Sequence, residues 1–144
     1  MTPSSASGER SVAESRVGRR RITSGGPWER SAGYSRALVA GDVCHVSGTT
    51  DAGPDGRSQN PGDAAAQARA VWTIIERALA EGGFALEDVV RTRLYLTRIE
   101  DAGAVLAVHG ELFGEIRPAS SLVQVAGLID PTLLVEIEAE ARRR

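Results

Sequence analysis

The sequence lacks lysine and contains a single cysteine. All 17 of its basic residues are arginines, so it offers neither a Schiff-base lysine nor the lysine of a phosphate-binding P-loop. Cys44 has no partner within the chain, which excludes an intramolecular disulfide and any multi-cysteine zinc site. A lone cysteine fits a reducing compartment, and we expect a cytoplasmic protein.

Long apolar runs and a strong net charge are also missing. No stretch approaches the roughly 20 apolar residues of a membrane span, and the N-terminus has no apolar signal-peptide region. The formal net charge of -2 and pI near 5.7 give no general attraction to nucleic acid. We therefore expect neither a membrane nor a nucleic-acid partner.

The 144 residues, 42% of them hydrophobic, suffice for one domain with its own core. Residues 1–18 are rich in serine, glycine and charge, so we expect a disordered leader, either a solvated tail or an arm that contacts a partner. The folded domain is then expected over residues 19–144.

The β pattern predicts six strands. A short strand lies in Arg20–Ser24, and a Gly41-Asp42 turn joins Ala37–Ala40 to Val43–Ser47. The β-branched and aromatic segment Val89–Thr97 predicts a long strand. Two more strands occupy "RPASSLVQVAGLIDPTLLVEIEAEA", joined by a proline turn.

Two helices alternate with these strands. The first is predicted to begin with Asn60 as N-cap, Pro61 as first helical residue and Asp63 in the first turn, and to stop at Gly82-Gly83. Its apolar stripe comprises Ala68, Val71, Trp72, Ile75, Ala78 and Leu79. The second helix runs from about Asp101 to Gly114, with Val105, Val108 and Leu112 facing the sheet.

This order predicts an α+β fold, a two-layer sandwich with two helices on one face of a six-stranded sheet.

In the last strand Leu133, Val135, Ile137, Ala139 and Ala141 suit the covered face. Glu136, Glu138 and Glu140 then lie on the open face. The long strand divides likewise into an apolar set (Val90, Thr92, Leu94, Leu96) and a polar set (Arg91, Arg93, Tyr95, Thr97). The open face is predicted either to hold cross-strand Arg–Glu pairs or to form a subunit interface.

From Tyr34 to its end the chain resembles the RidA (YjgF) family. The resemblance rests on three segments in order: "GYSRALVAGDVCHVSGTT", "AAAQARAVWTIIERALAEGGFALEDVVRTRLYLTRIED" and "RPASSLVQVAGLIDPTLLVEIEAEA". It implies a chorismate-mutase-like homotrimer with clefts between subunits. It also implies hydrolysis of the reactive enamines and imines released by pyridoxal-phosphate enzymes, to a keto acid and ammonia, without metal or cofactor.

The family's site residues map onto this chain in part. The resemblance places the cleft tyrosine at Tyr34, the serine at Ser47 and the water-orienting glutamate at Glu136. The arginine that holds the substrate carboxylate is replaced by Ser120, which cannot give its charge-assisted grip. The chain thus resembles a divergent branch, in which Arg93, Arg117 or a neighbouring chain is the candidate replacement.

A family asparagine on the second helix falls on Leu106, and His109 lies about one turn further on. The candidate catalytic residues are Glu136, His109 and Tyr34, and the candidate substrate-binding residues are Ser47, Thr49, Ser120 and Arg93. An imidazole near a glutamate suits proton transfer at an imine.

Each candidate has a structural alternative. These alternatives are an interface salt bridge for Glu136, a packing lid for Tyr34, a backbone-bonded hydroxyl for Ser47 and simple packing for His109. Trp28 is predicted either to cap the cleft or to anchor the leader. We expect no metal, since His45, His109 and Glu136 would have to converge by chance. The sequence predicts a cofactor-independent deaminase or, alternatively, a non-catalytic metabolite-binding or regulatory module.

Overall fold

A computed structural model describes residues 18–144, so nearly all of the predicted leader lies outside the described residues. The six strands are β1 Arg19–Ile22, β2 Ala37–Ala40, β3 Val43–Thr49, β4 Val89–Leu96, β5 Ala119–Gln124 and β6 Val135–Arg142. The three helices are α1 Glu29–Ala32, α2 Ala64–Glu81 and α3 Ala102–Phe113. The prediction is confirmed for the six strands and both long helices, whereas α1 was not predicted.

The strands form one mixed sheet in the order β1-β2-β3-β6-β4-β5. Every neighbouring pair is antiparallel except β4 and β5, which are parallel and connected through α3. The last strand, β6, therefore lies between β3 and β4 at the centre of the sheet. Side chains on β6 are consequently brought beside residues that lie far away in the sequence.

The core lies between one face of the sheet and the two long helices, as predicted. The whole predicted stripe of α2 is buried, and Trp72 retains only 2% of its exposure. On β6 the apolar residues Val135, Ile137, Ala139 and Ala141 are buried while the glutamates between them are half-buried. Burying each large apolar side chain is worth about 1.5–3 kcal/mol, which fixes the face that β6 turns toward the helices.

The predicted face of Val90 is wrong. Its side chain is 47% exposed, and Val89 lies in the core instead at 3%. The pairing of β4 with β6 shifts register between Val89 and Arg91, so the alternation changes phase at this point. From Thr92 onward the predicted alternation is confirmed.

The predicted start of the first long helix is also wrong. Asp63, not Asn60, is the N-cap of α2, because its carboxylate accepts a hydrogen bond from Ala66 N at 3.0 Å. Gly62 adopts φ 79°, a left-handed conformation that keeps the preceding turn out of the helix. The side-chain amide of Asn60 donates instead to Asp51 Oδ2 at 3.1 Å.

The buried side chain of Gln67 forms hydrogen bonds that link the loop between β3 and α2 to the segment entering β6. Gln67 Nε2 donates to Asn60 O at 3.1 Å and to Thr132 O at 3.0 Å, while its Oε1 accepts from Leu134 N at 2.8 Å. The side chain thereby connects the loop, α2 and the segment entering β6. The loop segment around Thr50 is thus held beside the end of β3, where the candidate site lies.

Candidate functional site

Glu136 lies at the wall of a cavity of about 280 Å³. Its open-face position on β6 brings the carboxylate against the backbone of β3 at Gly48. A Cβ added to Gly48 would stand 2.5 Å from Glu136 Oε2, so only glycine allows this approach. The other walls include Trp28, Tyr34, Thr49, Ile74 and Ile129.

The surroundings of Glu136 favour its neutral form. Burial raises the pKa of the carboxyl, and the nearby charge of Glu138 raises it further, while Arg36 opposes both effects. A carboxylate with a raised pKa is a better proton acceptor once ionised. The position is therefore suited to general-base chemistry.

Arg36 is a cavity residue that the sequence reasoning missed. It is only 8% exposed, and its Nη1 donates to Gly48 O at 2.9 Å and to Thr49 Oγ1 at 3.0 Å. Its Nε makes no hydrogen bond within residues 18–144 and lies 3.7 Å from Glu29 Oε2. The sequence signal for Arg36 was its isolated charge, one residue before the apolar strand β2 and on the face opposite Ala37.

Glu29, on the short helix α1, is the counter-charge of Arg36. Glu29 is 6% exposed, accepts a hydrogen bond from Ser24 N at 3.2 Å and is also bonded by the Ser24 hydroxyl. The helix ends at Gly33, whose φ of 79° turns the chain back toward Tyr34. Trp28, at the start of α1, lines the cavity and packs against Gly56.

Three predicted residues of the N-terminal half gather at this end of the sheet. Tyr34 is 39% exposed, with the Arg36 guanidinium carbon 5.5 Å from its ring centroid. The Ser47 hydroxyl donates to Ser35 O at 2.6 Å, which matches the backbone-bonded alternative. The buried Thr49 hydroxyl donates to Ser47 O at 2.7 Å. Among these three hydroxyl groups, only that of Tyr34 makes no hydrogen bond within residues 18–144.

Arg93 lies in a second, open trough of about 1170 Å³ on the uncovered face of the sheet. It is paired with Glu140, with Nη1 and Oε1 3.2 Å apart. The neighbouring Tyr95 hydroxyl donates to Glu138, and this bond raises the pKa of the tyrosine. Cross-strand pairing of arginine with glutamate is thus confirmed for Arg93.

Ser120 and His109 lie on the other, helix-covered side of the sheet. Thr92 Oγ1 donates to Ser120 Oγ at 2.7 Å and lies 2.9 Å from His109 Nε2. The imidazole packs against Phe113, and burial lowers its pKa. A single chain therefore does not bring His109 or Ser120 to Glu136.

Residues 18–144 contain neither a metal-binding cluster nor a membrane-spanning helix. No group of three or more His, Cys, Asp or Glu side chains is arranged to hold a metal ion. No helix in the same range is both long and apolar enough to cross a membrane.

Comparison with known proteins gives the family. The profile described as "Endoribonuclease L-PSP" matches residues 27–143. The chain is 42% identical over 124 residues to the uncharacterized protein SCO2049 of Streptomyces coelicolor, covering 86% of this chain and 92% of that protein. It is 37% identical over 110 residues to 3-aminoacrylate deaminase RutC of Acinetobacter baylyi, covering 76% and 86%.

A solved structure agrees with the fold. Rv2704 of Mycobacterium tuberculosis, described as a member of the YjgF/YER057c/UK114 family, is 46% identical with a TM-score of 0.79. The match covers 87% of this chain and 99% of that one. Family profile, relatives and fold coincide over the described domain. The chain therefore belongs to the Endoribonuclease L-PSP family, which is the YjgF/RidA family.

Proposed function

We propose that this protein hydrolyses small reactive imines at their C=N bond, including the imine tautomers of enamines. The observation that carries the proposal is the half-buried Glu136 carboxylate, which borders a small cavity together with Arg36 and Tyr34. A relative at 37% identity is a 3-aminoacrylate deaminase, which supports the reaction class. The substrate range is part of the proposal.

The proposed reaction proceeds by general-base addition of water. Ionised Glu136 accepts a proton from water as the oxygen bonds to the carbon of the protonated imine and the C=N π electrons move to nitrogen, giving a neutral carbinolamine. Glu136 then returns this proton to the nitrogen, the C–N bond breaks, and ammonia leaves as the hydroxyl gives its proton to the carboxylate and the carbonyl forms. Tyr34, which lines the cavity, is the candidate to exchange the proton on nitrogen.

We further propose that the complete site lies between the subunits of a homotrimer. His109 and Ser120 lie on the face of the sheet away from Glu136, so they reach such a carboxylate only from a second copy. The edge strand β5 is largely exposed and pairs only with β4 in the sheet, and an unpaired edge favours association. In that arrangement His109 of one copy and Glu136 of the next share one cleft.

The remaining expectations belong to the same proposal. We expect a cytoplasmic protein that needs no metal or cofactor and binds a small metabolite. The family description names an endoribonuclease, and the absence of a nucleic-acid partner stays a prediction. A cavity of about 280 Å³ suits a metabolite rather than a polynucleotide strand.

The test uses one enamine and one imine, both generated in the assay mixture. A pyridoxal-phosphate lyase produces 2-aminoacrylate from serine, and a flavin amine oxidase produces the imine of 3-methylbutylamine. Faster decay of either compound, lost in Glu136→Gln, supports the proposal. Glu140→Gln, on the same strand and face, is the matched control and is expected to retain activity. Unchanged decay of both compounds refutes hydrolysis and favours the binding module.

A further inference from the structure

Resting on the proposed function, we propose that the Glu136 cavity selects imines without a carboxylate group. The preferred substrate class is a small imine or iminium ion with an apolar body, of the kind released when a primary amine is oxidised. The inference rests on the contacts of Arg36, the charges that line the cavity and the apolar character of its walls.

Arg36 is the cation of the cavity, and contacts within the chain already occupy its Nη1 and face its Nε. Its Nη1 is bonded to Gly48 O and Thr49 Oγ1, which fixes the guanidinium to the end of β3. Its Nε points toward Glu29, 3.7 Å from Oε2. A bidentate grip needs two adjacent N–H groups facing the ligand, and a buried carboxylate already lies beside this guanidinium.

The charges that this chain contributes to the cavity disfavour an anionic ligand. Among the described lining residues the charged ones are Glu29, Arg36 and Glu136. With Glu136 ionised, as catalysis requires, two negative charges and one positive charge leave a net charge of -1. A substrate carboxylate would therefore be repelled, whereas an iminium ion would be attracted to Glu136.

The rest of the wall suits an apolar body. Pro27, Trp28, Ile74 and Ile129 all border the cavity, and none of them offers a charged group. Ser120, where the resemblance to the family predicts a carboxylate-binding arginine, accepts a hydrogen bond from Thr92. A serine hydroxyl carries no charge, so it offers no cation to a ligand carboxylate.

The test compares two imines that differ only in the carboxylate. A flavin amino-acid oxidase converts leucine to its 2-imino acid, and a flavin amine oxidase converts 3-methylbutylamine to the matching imine. Semicarbazide trapping measures the imine that escapes hydrolysis. We expect kcat/KM to be about tenfold or more higher for the carboxylate-free imine, the factor of one charge-assisted contact. Equal values, or preference for the imino acid, overturn the inference while leaving hydrolysis supported. Hydrolysis of neither imine refutes the proposed function itself.

A variant tests the charge argument directly. Glu29→Gln removes the counter-charge of Arg36, so the preference for the carboxylate-free imine is expected to fall about tenfold. Glu76→Gln, an exposed glutamate on α2, is the matched control and should leave the preference unchanged. An unaltered preference in Glu29→Gln overturns the argument. If that variant does not fold, inhibition of the unmodified protein decides: 3-methylbutylamine should inhibit at a lower concentration than 3-methylbutanoate, and the reverse order contradicts the inference.

Discussion

Replacing Gly48 by alanine tests whether the position of the Glu136 carboxylate matters. The new Cβ would lie 2.5 Å from Oε2, 3.0 Å from Cδ and 3.4 Å from Cγ of Glu136. An ordinary contact needs at least about 3.4 Å, so the carboxylate must retreat by nearly 1 Å. The backbone itself accepts alanine, because Gly48 is not among the glycines with positive φ.

The expected effects on activity and stability differ greatly. A misplacement of about 1 Å at a reacting group can reduce the rate roughly 100-fold. Overpacking a rigid core costs about 1–3 kcal/mol, but here the clash meets the end of a flexible side chain. We therefore expect kcat/KM to fall about 100-fold while the free energy of unfolding falls by about 1 kcal/mol.

The measurement pairs imine hydrolysis with urea unfolding, at one fixed protein concentration because assembly contributes to stability. Gly103→Ala is the matched control, since its added Cβ meets nothing within 4 Å. It should leave activity unchanged and, because Gly103 lies in α3, raise the free energy of unfolding by up to about 1 kcal/mol. Full activity in Gly48→Ala would refute the view that the close approach of Glu136 to β3 is required for catalysis.

Three further predictions concern stability and reactivity. Because burial raises the pKa of Glu136, the folded state binds this proton more tightly than the unfolded state. That stabilisation is present below the ordinary carboxyl pKa and is lost as pH rises through the folded-state pKa. The urea midpoint should therefore decline over this pH range in the unmodified protein, and Glu136→Gln should remove the decline. An equal decline in both proteins contradicts the prediction. Burial raises the pKa of Cys44 to about 11, so iodoacetamide at neutral pH should modify the thiol only after unfolding. Gln67→Leu removes three hydrogen bonds and should lower the free energy of unfolding by about 3 kcal/mol. The exposed control Gln59→Leu should lower it by less than about 1 kcal/mol. Equal losses would argue against a stabilising role for the Gln67 hydrogen bonds.

Much of the fold follows from local patterns in the sequence. The stripe of α2 and the alternation along β6 each commit one face to the core, because burying apolar side chains outweighs other local preferences. The same alternation places Glu136 on the uncovered face before any coordinates are known. The family resemblance, also read from the sequence alone, predicts that Ser120 stands where other members have an arginine.

The surroundings of Glu136 were decided by tertiary structure. Periodicity shows which face a side chain occupies but not which strand lies beside it, and only the insertion of β6 next to β3 brings Glu136 to Gly48. The pairing of Arg36 with Glu29 depends on the short helix α1, whose four residues are too few to give a periodic signal. The separation of His109 from Glu136 was likewise decided by the tertiary structure. His109 lies on α3 and contacts the buried Thr92 on the covered face of the sheet, whereas Glu136 lies on the uncovered face of β6, so the sheet stands between them within one chain.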